Sequence, residues 1–190
     1  MKIYDISQEL FSSRVFPGDK PATGYRTSEI AKGAVCNITA LEMHVHNGTH
    51  VDAPCHFIEG GKTIDELPLT RFIGQAKVVT VPKVLTDEHV TAIMTGSPEK
   101  VLLKGEVELT AENAKMFVDY GVKLLGIESQ SIGPVSDPQP VHMVLLGAEV
   151  IALEGLNLQE VPDGNYLLNA APLNLKGSDG APCRAILIES

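Results

Sequence analysis

This 190-residue chain contains no tryptophan, and aromatic residues make up only 5% of it. Its 15 lysines and arginines are outnumbered by 24 aspartates and glutamates, which gives a formal net charge of −9. The sequence therefore offers no basic patch for a nucleic acid or an anionic membrane. No apolar stretch approaches the length of a membrane span, and no apolar signal core follows Met1. These absences predict a soluble intracellular protein that binds neither nucleic acids nor membranes.

Cysteine is also scarce in this chain. Cys36, Cys55 and Cys183 are odd in number, widely spaced and without a Cys-x-x-Cys pair. Such a set does not build a disulfide framework and is typical of a reducing compartment, so we expect a cytoplasmic protein. Apolar residues at 44% and charged residues at 21% are ordinary values for a globular chain. With no repeat or linker, residues 1–190 are expected to form a single domain.

What the chain does contain is a dense group of metal-binding side chains. Three histidines and one aspartate fall within eleven residues: His46, His50, Asp52 and His56. Imidazole and carboxylate are usual ligands of divalent transition metals, so one loop offers most of a coordination shell. Gly48 permits backbone angles closed to other residues, and Pro54 stiffens the exit of the loop. This spacing predicts a metal site.

The rest of the chain alternates predicted strands and helices, which favours an α/β fold with a mixed or partly parallel sheet. Residues 33–46 alternate as in a strand, and we expect that strand to deliver His46 to the metal loop, with one face bordering a polar cavity. Glu154 follows a predicted strand at its C-terminal end, where α/β sheets commonly present functional groups. Further strands are predicted at 2–6, 76–81, 100–104, 122–128, 149–153, 166–169 and 184–188, and helices at 63–67, 86–94, 110–120 and from residue 142.

Five motifs are spread along nearly the whole chain: FPGD at 16–19, HNGTHVDAPCHF at 46–57, HMVLL at 142–146, VIALE at 150–154 and DGAPCRA at 179–185. Together they resemble the cyclase-like metal-dependent hydrolases, a family that includes bacterial kynurenine formamidase and isatin hydrolase. The run from His46 to Phe57 resembles the family signature H-x-G-T-H-x-D-x-P-x-H. The resemblance implies a swivelling β/β/α domain with a mixed sheet or partial barrel flanked by helices, and a homodimer or higher homo-oligomer.

The resemblance also implies a metal centre built from two parts of the chain. His46, His50 and Asp52 would bind one divalent ion. In kynurenine formamidases the aspartate bridges to a second ion, which His142 and Glu154 would complete here. We expect the bound metal to be zinc, with manganese as the alternative, and one or two ions per chain.

The function that the resemblance implies is hydrolysis of a non-peptide C–N bond by metal-activated water. His56 takes the place of the catalytic acid/base, and Phe16 and Asp19 are expected to contact the substrate. N-formylkynurenine, the arylformamidase substrate of tryptophan catabolism, is the first compound to test. The same centre could instead open a cyclic amide or lactone, as isatin hydrolase does. A metal-binding protein without turnover is the alternative from another class, but such a site would not need His56.

For some residues the sequence allows two interpretations. His44 either supports the site or is an ordinary structural histidine, and Arg184, like Asp19, either lines the site or caps a turn. Cys55 is a weak candidate nucleophile because a metal centre supplies its own. His89 has no supporting context and is expected on the surface. In kynurenine formamidases the segment after the central strand commonly reads I-D-T-x-S-x-D, but here it is IESQSIG, with Glu128 and Gly133 at the two altered positions.

Overall fold

The computed structural model of the protein describes residues 1–189. Within that range, eleven strands alternate with three α-helices and several short 3-10 turns. The strands are β1 (Lys2–Asp5), β2 (Thr23–Ser28), β3 (Ile38–Glu42), β4 (His50–Asp52), β5 (Ile73–Thr80), β6 (Lys100–Lys104), β7 (Leu124–Ile127), β8 (Ile151–Glu154), β9 (Gly164–Asn169), β10 (Gly180–Pro182) and β11 (Ile186–Glu189). The helices are α1 (Asp87–Met94), α2 (Ala111–Asp119) and α3 (Gln139–Gly147).

Nine of these strands form one mixed sheet that curls into a half-barrel, in the order β1-β11-β9-β5-β6-β7-β8-β4-β10. Strands β5 to β8 run parallel, and α1, α2 and α3 form the three successive crossovers between them. The other pairings in this sheet are antiparallel. The predicted α/β class with a mixed sheet or partial barrel is therefore confirmed.

Local sequence explains the helices. Thr86 and Thr110 cap α1 and α2, each through a hydroxyl that accepts a hydrogen bond from a backbone N–H of the first turn. The helices cover one face of the sheet, where Val90, Phe117 and Leu145 belong to one apolar cluster. Because successive side chains of a strand point to opposite faces, the other face supplies a second apolar cluster. No helix in residues 1–189 is long and apolar enough to cross a membrane.

The predicted strand at residues 33–46 is wrong in extent and in position. The strand observed there, β3, ends at Glu42 and pairs only with β2, in a separate two-stranded sheet. Its side chains are mostly exposed, so it does not place a face against the cavity. A turn follows β3 and contains His46. It is closed by a hydrogen bond that Asn47 Oδ1 accepts from the His44 N–H at 2.9 Å. An alternating pattern of side chains indicates an extended backbone, but it does not identify the sheet that the strand joins.

Candidate metal centre and active-site cavity

Short antiparallel pairings between β4, β8 and β10 bring the site together. His50 and Asp52 are two residues apart in β4, so their side chains lie on the same face of the sheet. His50 is the register partner of Glu154 at the end of β8, and Asp52 is the partner of Gly180 in β10. The sheet register thus joins a residue from the signature with one about a hundred positions later in the chain.

The buried floor of the site consists of two histidines and two carboxylates. Glu154 lies between the two rings, with its Oε2 3.3 Å from His50 Nε2 and its Oε1 3.2 Å from His142 Nε2. The other nitrogen of each ring faces a backbone carbonyl, Gly48 O at 3.0 Å for His50 and Pro138 O at 2.7 Å for His142. Because each Nδ1 has this partner, each Nε2 is directed at the carboxylates, which is the usual arrangement of a metal-binding imidazole.

His46 and His56 lie beside this floor and are half-buried. His46 Nδ1 is 2.8 Å from Asp52 Oδ1, and its Nε2 is 2.9 Å from Asp179 Oδ2. The His56 ring stacks on the His46 ring at a centroid separation of 4.0 Å, and its Nδ1 is 3.2 Å from the same Asp179 oxygen. All six predicted site residues are therefore gathered in one place: His46, His50, Asp52, His56, His142 and Glu154.

The donor set fits a divalent cation. Two overlapping groups each have ligand atoms within 4.8 Å of one another: His50, Asp52 and Glu154, and His46, Asp52 and His56. Asp52 belongs to both groups and is buried, yet its Oδ2 accepts no hydrogen bond. A buried carboxylate oxygen normally has a partner, and a cation would supply one. The structure also brings His56 to ligand distance, as its place in the signature allowed, although the family resemblance assigns it to proton transfer.

The environment of these groups favours positive charge in the same way. Burial lowers the pKa of His46 and of His142, but the neighbouring carboxylates more than offset burial and raise the two values to about 9 and about 10. Burial raises the pKa of Asp52, but the nearby imidazoles hold it well below its ordinary value. His56 differs, because burial lowers its pKa. The carboxylates therefore favour a cation at this spot, whether imidazolium or metal.

A cavity of about 490 Å³ opens above the floor. Phe16 and Phe57 line it, and the Phe57 ring stacks on His142 at 4.4 Å. Asp19 also lines the cavity, with its Oδ1 3.2 Å from His44 Nδ1. The two residues predicted to contact substrate, Phe16 and Asp19, thus border the cavity, and His44 is a cavity residue paired with Asp19. A volume of this size suits a small organic molecule.

Three cavity residues were missed by the sequence analysis. Asp179 contacts both His46 and His56, although its segment was noted only as a family motif. Gln130 Nε2 donates hydrogen bonds to His46 O and to Gly48 O, which steadies the signature loop from behind. Ser131 Oγ is buried without a hydrogen-bond partner, and this residue lines the cavity. Nothing in the local sequence marks such contacts, because the partners lie 82 to 133 positions away.

The remaining candidates lie outside the cavity. Arg184 pairs with Asp5 on the surface, with Nε 2.8 Å from Oδ2. Cys55 is not among the residues that line the cavity, and burial raises the pKa of its thiol, which argues against a nucleophile. His89 is exposed and completes the cap of α1. The surface prediction for His89 is confirmed.

The two altered positions of the IESQSIG segment have structural roles. Glu128 accepts hydrogen bonds from the Leu158 N–H at 2.9 Å and the Gly105 N–H at 2.8 Å, so it ties two loops together. At Gly133 a Cβ would lie 2.5 Å from Pro138 O, the oxygen that faces His142 Nδ1. Only glycine lets the loop pack this closely, so the close packing behind His142 excludes an aspartate here.

The half-barrel gathers buried histidines and carboxylates below an open cavity, and this arrangement together with its structural relatives places the protein among the metal-dependent hydrolases. The chain belongs to the Cyclase family, whose model, described as “Putative cyclase”, matches residues 4–134. The cluster of histidines and carboxylates and the similarity to a metal-dependent hydrolase indicate a divalent metal ion as the cofactor. The predicted family resemblance is confirmed.

Individual relatives cover nearly the whole chain. A kynurenine formamidase of Salinibacter ruber (strain DSM 13855 / M31) is 35% identical, covering 98% of this chain and 97% of the relative. A solved structure described as a potential metal-dependent hydrolase with cyclase activity is 30% identical, covers 98% of this chain and 96% of its own, and has a TM-score of 0.82. Isatin hydrolase A from Labrenzia aggregata, at 24% identity, covers 100% of this chain and 94% of its own, with a TM-score of 0.84, and shows that the fold is shared.

Proposed function

We propose that this enzyme hydrolyses the formyl C–N bond of an aryl formamide of the N-formylkynurenine type, releasing formate and the aryl amine. The observation that carries the proposal is Asp52. Its buried carboxylate belongs to two overlapping ligand groups at the floor of an aromatic-lined cavity, and its Oδ2 accepts no hydrogen bond. The kynurenine formamidase relative, which matches over the full length, supports the choice of substrate.

In this proposal five residues hold the metal: His46, His50, Asp52, His142 and Glu154. Zinc is the first candidate and manganese the second, and the sharing of Asp52 between two groups supports a site for up to two ions. A divalent ion bound there would lower the pKa of a coordinated water towards about 7 and polarise the substrate carbonyl. Glu154 holds the rings of His50 and His142 on either side of the site.

His56 is the proposed acid/base. Its Nδ1 faces Asp179, so its Nε2 is the nitrogen left for proton transfer. The ring would take a proton as water attacks the formyl carbon and would deliver it to the aryl nitrogen as the C–N bond breaks. Burial lowers the pKa of His56 below its ordinary value, so the ring is neutral at neutral pH and free to accept a proton. A metal-binding protein without turnover would have no use for this nitrogen.

Phe16 and Phe57 offer flat apolar walls for an aryl ring. Asp19 lies at the same cavity and its side chain is one-third exposed, so we assign it to the ammonium group of an amino-acid substrate. N-formylkynurenine carries that group and formanilide does not. A lactam such as isatin could also enter the cavity, and it is the second candidate because the fold is shared with isatin hydrolase.

A substrate panel tests the proposed function. The protein, loaded with zinc or manganese and analysed for bound metal, is assayed with N-formylkynurenine, formanilide and isatin. We expect formate release from both formamides and a preference for N-formylkynurenine, with isatin opened slowly. If isatin is opened faster than the two formamides are hydrolysed, the protein is better described as a lactam hydrolase. A protein that binds neither metal, or that turns over none of the three, would contradict the proposal.

The panel includes the Asp19→Asn variant as a control for the substrate contact. Losing a charged hydrogen bond at a partly exposed position should raise KM for N-formylkynurenine about tenfold. KM for formanilide should stay unchanged because formanilide has no ammonium group. An equal rise for both substrates would remove Asp19 from the substrate contacts.

We also propose that the protein is a cytoplasmic homodimer. The two-stranded β2–β3 sheet exposes Tyr25, Ile38 and Leu41, and an isolated pair of strands is marginally stable in water without a covering surface. A second copy of the chain would cover these side chains, so light scattering should give the mass of two chains rather than one. The three free cysteines suit a reducing compartment.

A further inference from the structure

The carboxylate of Asp179 lies between two stacked histidines. One oxygen, Oδ2, is 2.9 Å from His46 Nε2 and 3.2 Å from His56 Nδ1. The two rings stack at 4.0 Å with an interplanar angle of 29°, so their edges present both nitrogens to the same oxygen. A single side chain therefore contacts both a proposed metal ligand and the proposed acid/base.

The backbone fixes the position of this carboxylate. Asp179 immediately precedes β10, and its carbonyl accepts a hydrogen bond from the Ala53 N–H at 2.9 Å. At the next residue, Gly180, a Cβ would lie 2.8 Å from His46 Cε1. Only glycine allows the His46 ring to approach the strand this closely, and that approach is what brings His46 Nε2 to Asp179.

The contacts determine which ring nitrogens carry protons. An ionised carboxylate can only accept hydrogen bonds, so both nitrogens that face it must be N–H donors. His56 then carries its proton on Nδ1 and keeps the Nε2 lone pair for proton transfer. His46 donates its Nε2–H to Asp179, and its Nδ1 faces a second carboxylate, Asp52 Oδ1, at 2.8 Å. A proton on Nδ1 satisfies that contact, and a metal ion bound by Nδ1 would replace this proton. A carboxylate that sets the tautomer of a histidine is a common partner of metal sites and of acid/base pairs.

We propose that Asp179 is a positioning residue that sets the Nδ1–H tautomer of His56 and orients His46 through its Nε2–H, and so couples the acid/base to the metal centre. The role of His56 in this inference rests on the proposed hydrolase function. A purely structural role for the carboxylate is disfavoured, because its side chain is 47% exposed. The loop before it has its own anchor, since Asp65 Oδ1 accepts a hydrogen bond from the Gly177 N–H at 2.8 Å.

Histidine NMR tests the tautomers without any assay of turnover. In the zinc-loaded, 15N-histidine-labelled protein, long-range proton–nitrogen spectra should show the Nδ1–H tautomer for His56. In Asp179→Ala that signal should shift towards the Nε2–H tautomer, whereas Asp65→Ala should leave it unchanged. An Nε2–H tautomer in the unaltered protein, or no change in Asp179→Ala, would overturn the proposal even if the hydrolase function holds. Conversely, the expected spectra in a protein that hydrolyses no formamide would leave the tautomer assignment standing and refute only the function.

Kinetics test whether Asp179 acts through His56. Asp179→Ala should lower kcat about 10- to 100-fold in metal-saturated protein, with KM nearly unchanged, as is typical for a partner of a site histidine. In the His56→Ala background the same substitution should cost almost nothing, because the residue it positions is gone. The metal affinity should fall about tenfold in both backgrounds, through His46. If Asp179→Ala lowers kcat as much in the His56→Ala background as in the unaltered protein, the coupling is contradicted. An unchanged metal affinity would also contradict it.

Discussion

Replacing His56 by alanine should lower kcat for N-formylkynurenine by about 10²- to 10⁴-fold, the usual contribution of a positioned general acid/base. The effect should fall on kcat rather than KM, because the proton moves only as the C–N bond changes. The variant should keep its metal, since the buried ligands His50, Asp52, His142 and Glu154 remain. Steady-state kinetics together with metal analysis of the same sample check both parts.

The metal analysis matters because the structure brings His56 to ligand distance of Asp52 and His46. If His56 is instead a ligand, His56→Ala should lose metal and activity together, and added zinc should restore part of the activity. His89→Ala is the matched control, because His89 is an exposed histidine that caps α1 and touches no cavity residue. Retained metal with full activity in His56→Ala would remove the acid/base assignment altogether.

The sequence predicted most of the fold because the relevant signals are local. Thr86 and Thr110 begin helices where capping residues precede apolar periodicity, and the buried strand at 100–104 is read directly from KVLLK. The short strands β4 and β10, three residues each, were missed and interpreted as loop. β4 pairs with the distant β8, and β10 pairs with β4, so neither pairing is marked by the residues of the strand itself. The strand predicted at 33–46 failed for the same reason, since alternation does not identify its partner.

Some residues of the site were predicted from the sequence and others were not. The reason is again how far apart in the sequence the contacting residues lie. The signature spacing marked His46, His50, Asp52 and His56 directly, whereas His142 and Glu154 were reached only through the family resemblance. Asp179 stands beside the signature only because β10 pairs with β4. Sequence separation hides such a residue, and only the sheet register reveals that it faces two histidines.

Replacing Asp52 by asparagine should abolish metal binding and with it the activity, leaving less than about 1% of kcat. Asp52 is buried, lies within 3.5 Å of His50 and His142, and is the member common to both ligand groups. Asparagine keeps the size of the side chain but removes its charge, so the group with His46 and His56 loses its one carboxylate and the group with His50 keeps only that of Glu154. No other single substitution removes a ligand from both groups at once.

Thermal unfolding should reveal the loss of metal binding in Asp52→Asn without any assay of activity. A ligand present at about 100 times its Kd stabilises the folded state by about 2.7 kcal/mol, which for a chain of this size corresponds to a Tm shift of about 5–11 °C. A chelator should therefore lower the Tm of the zinc-loaded protein by that amount and leave the Tm of Asp52→Asn unchanged. Asp119→Asn, which removes only an exposed pair with Lys115, should respond to the chelator like the unaltered protein. A chelator-sensitive Tm in Asp52→Asn would show that His50, His142 and Glu154 hold the ion without the shared carboxylate.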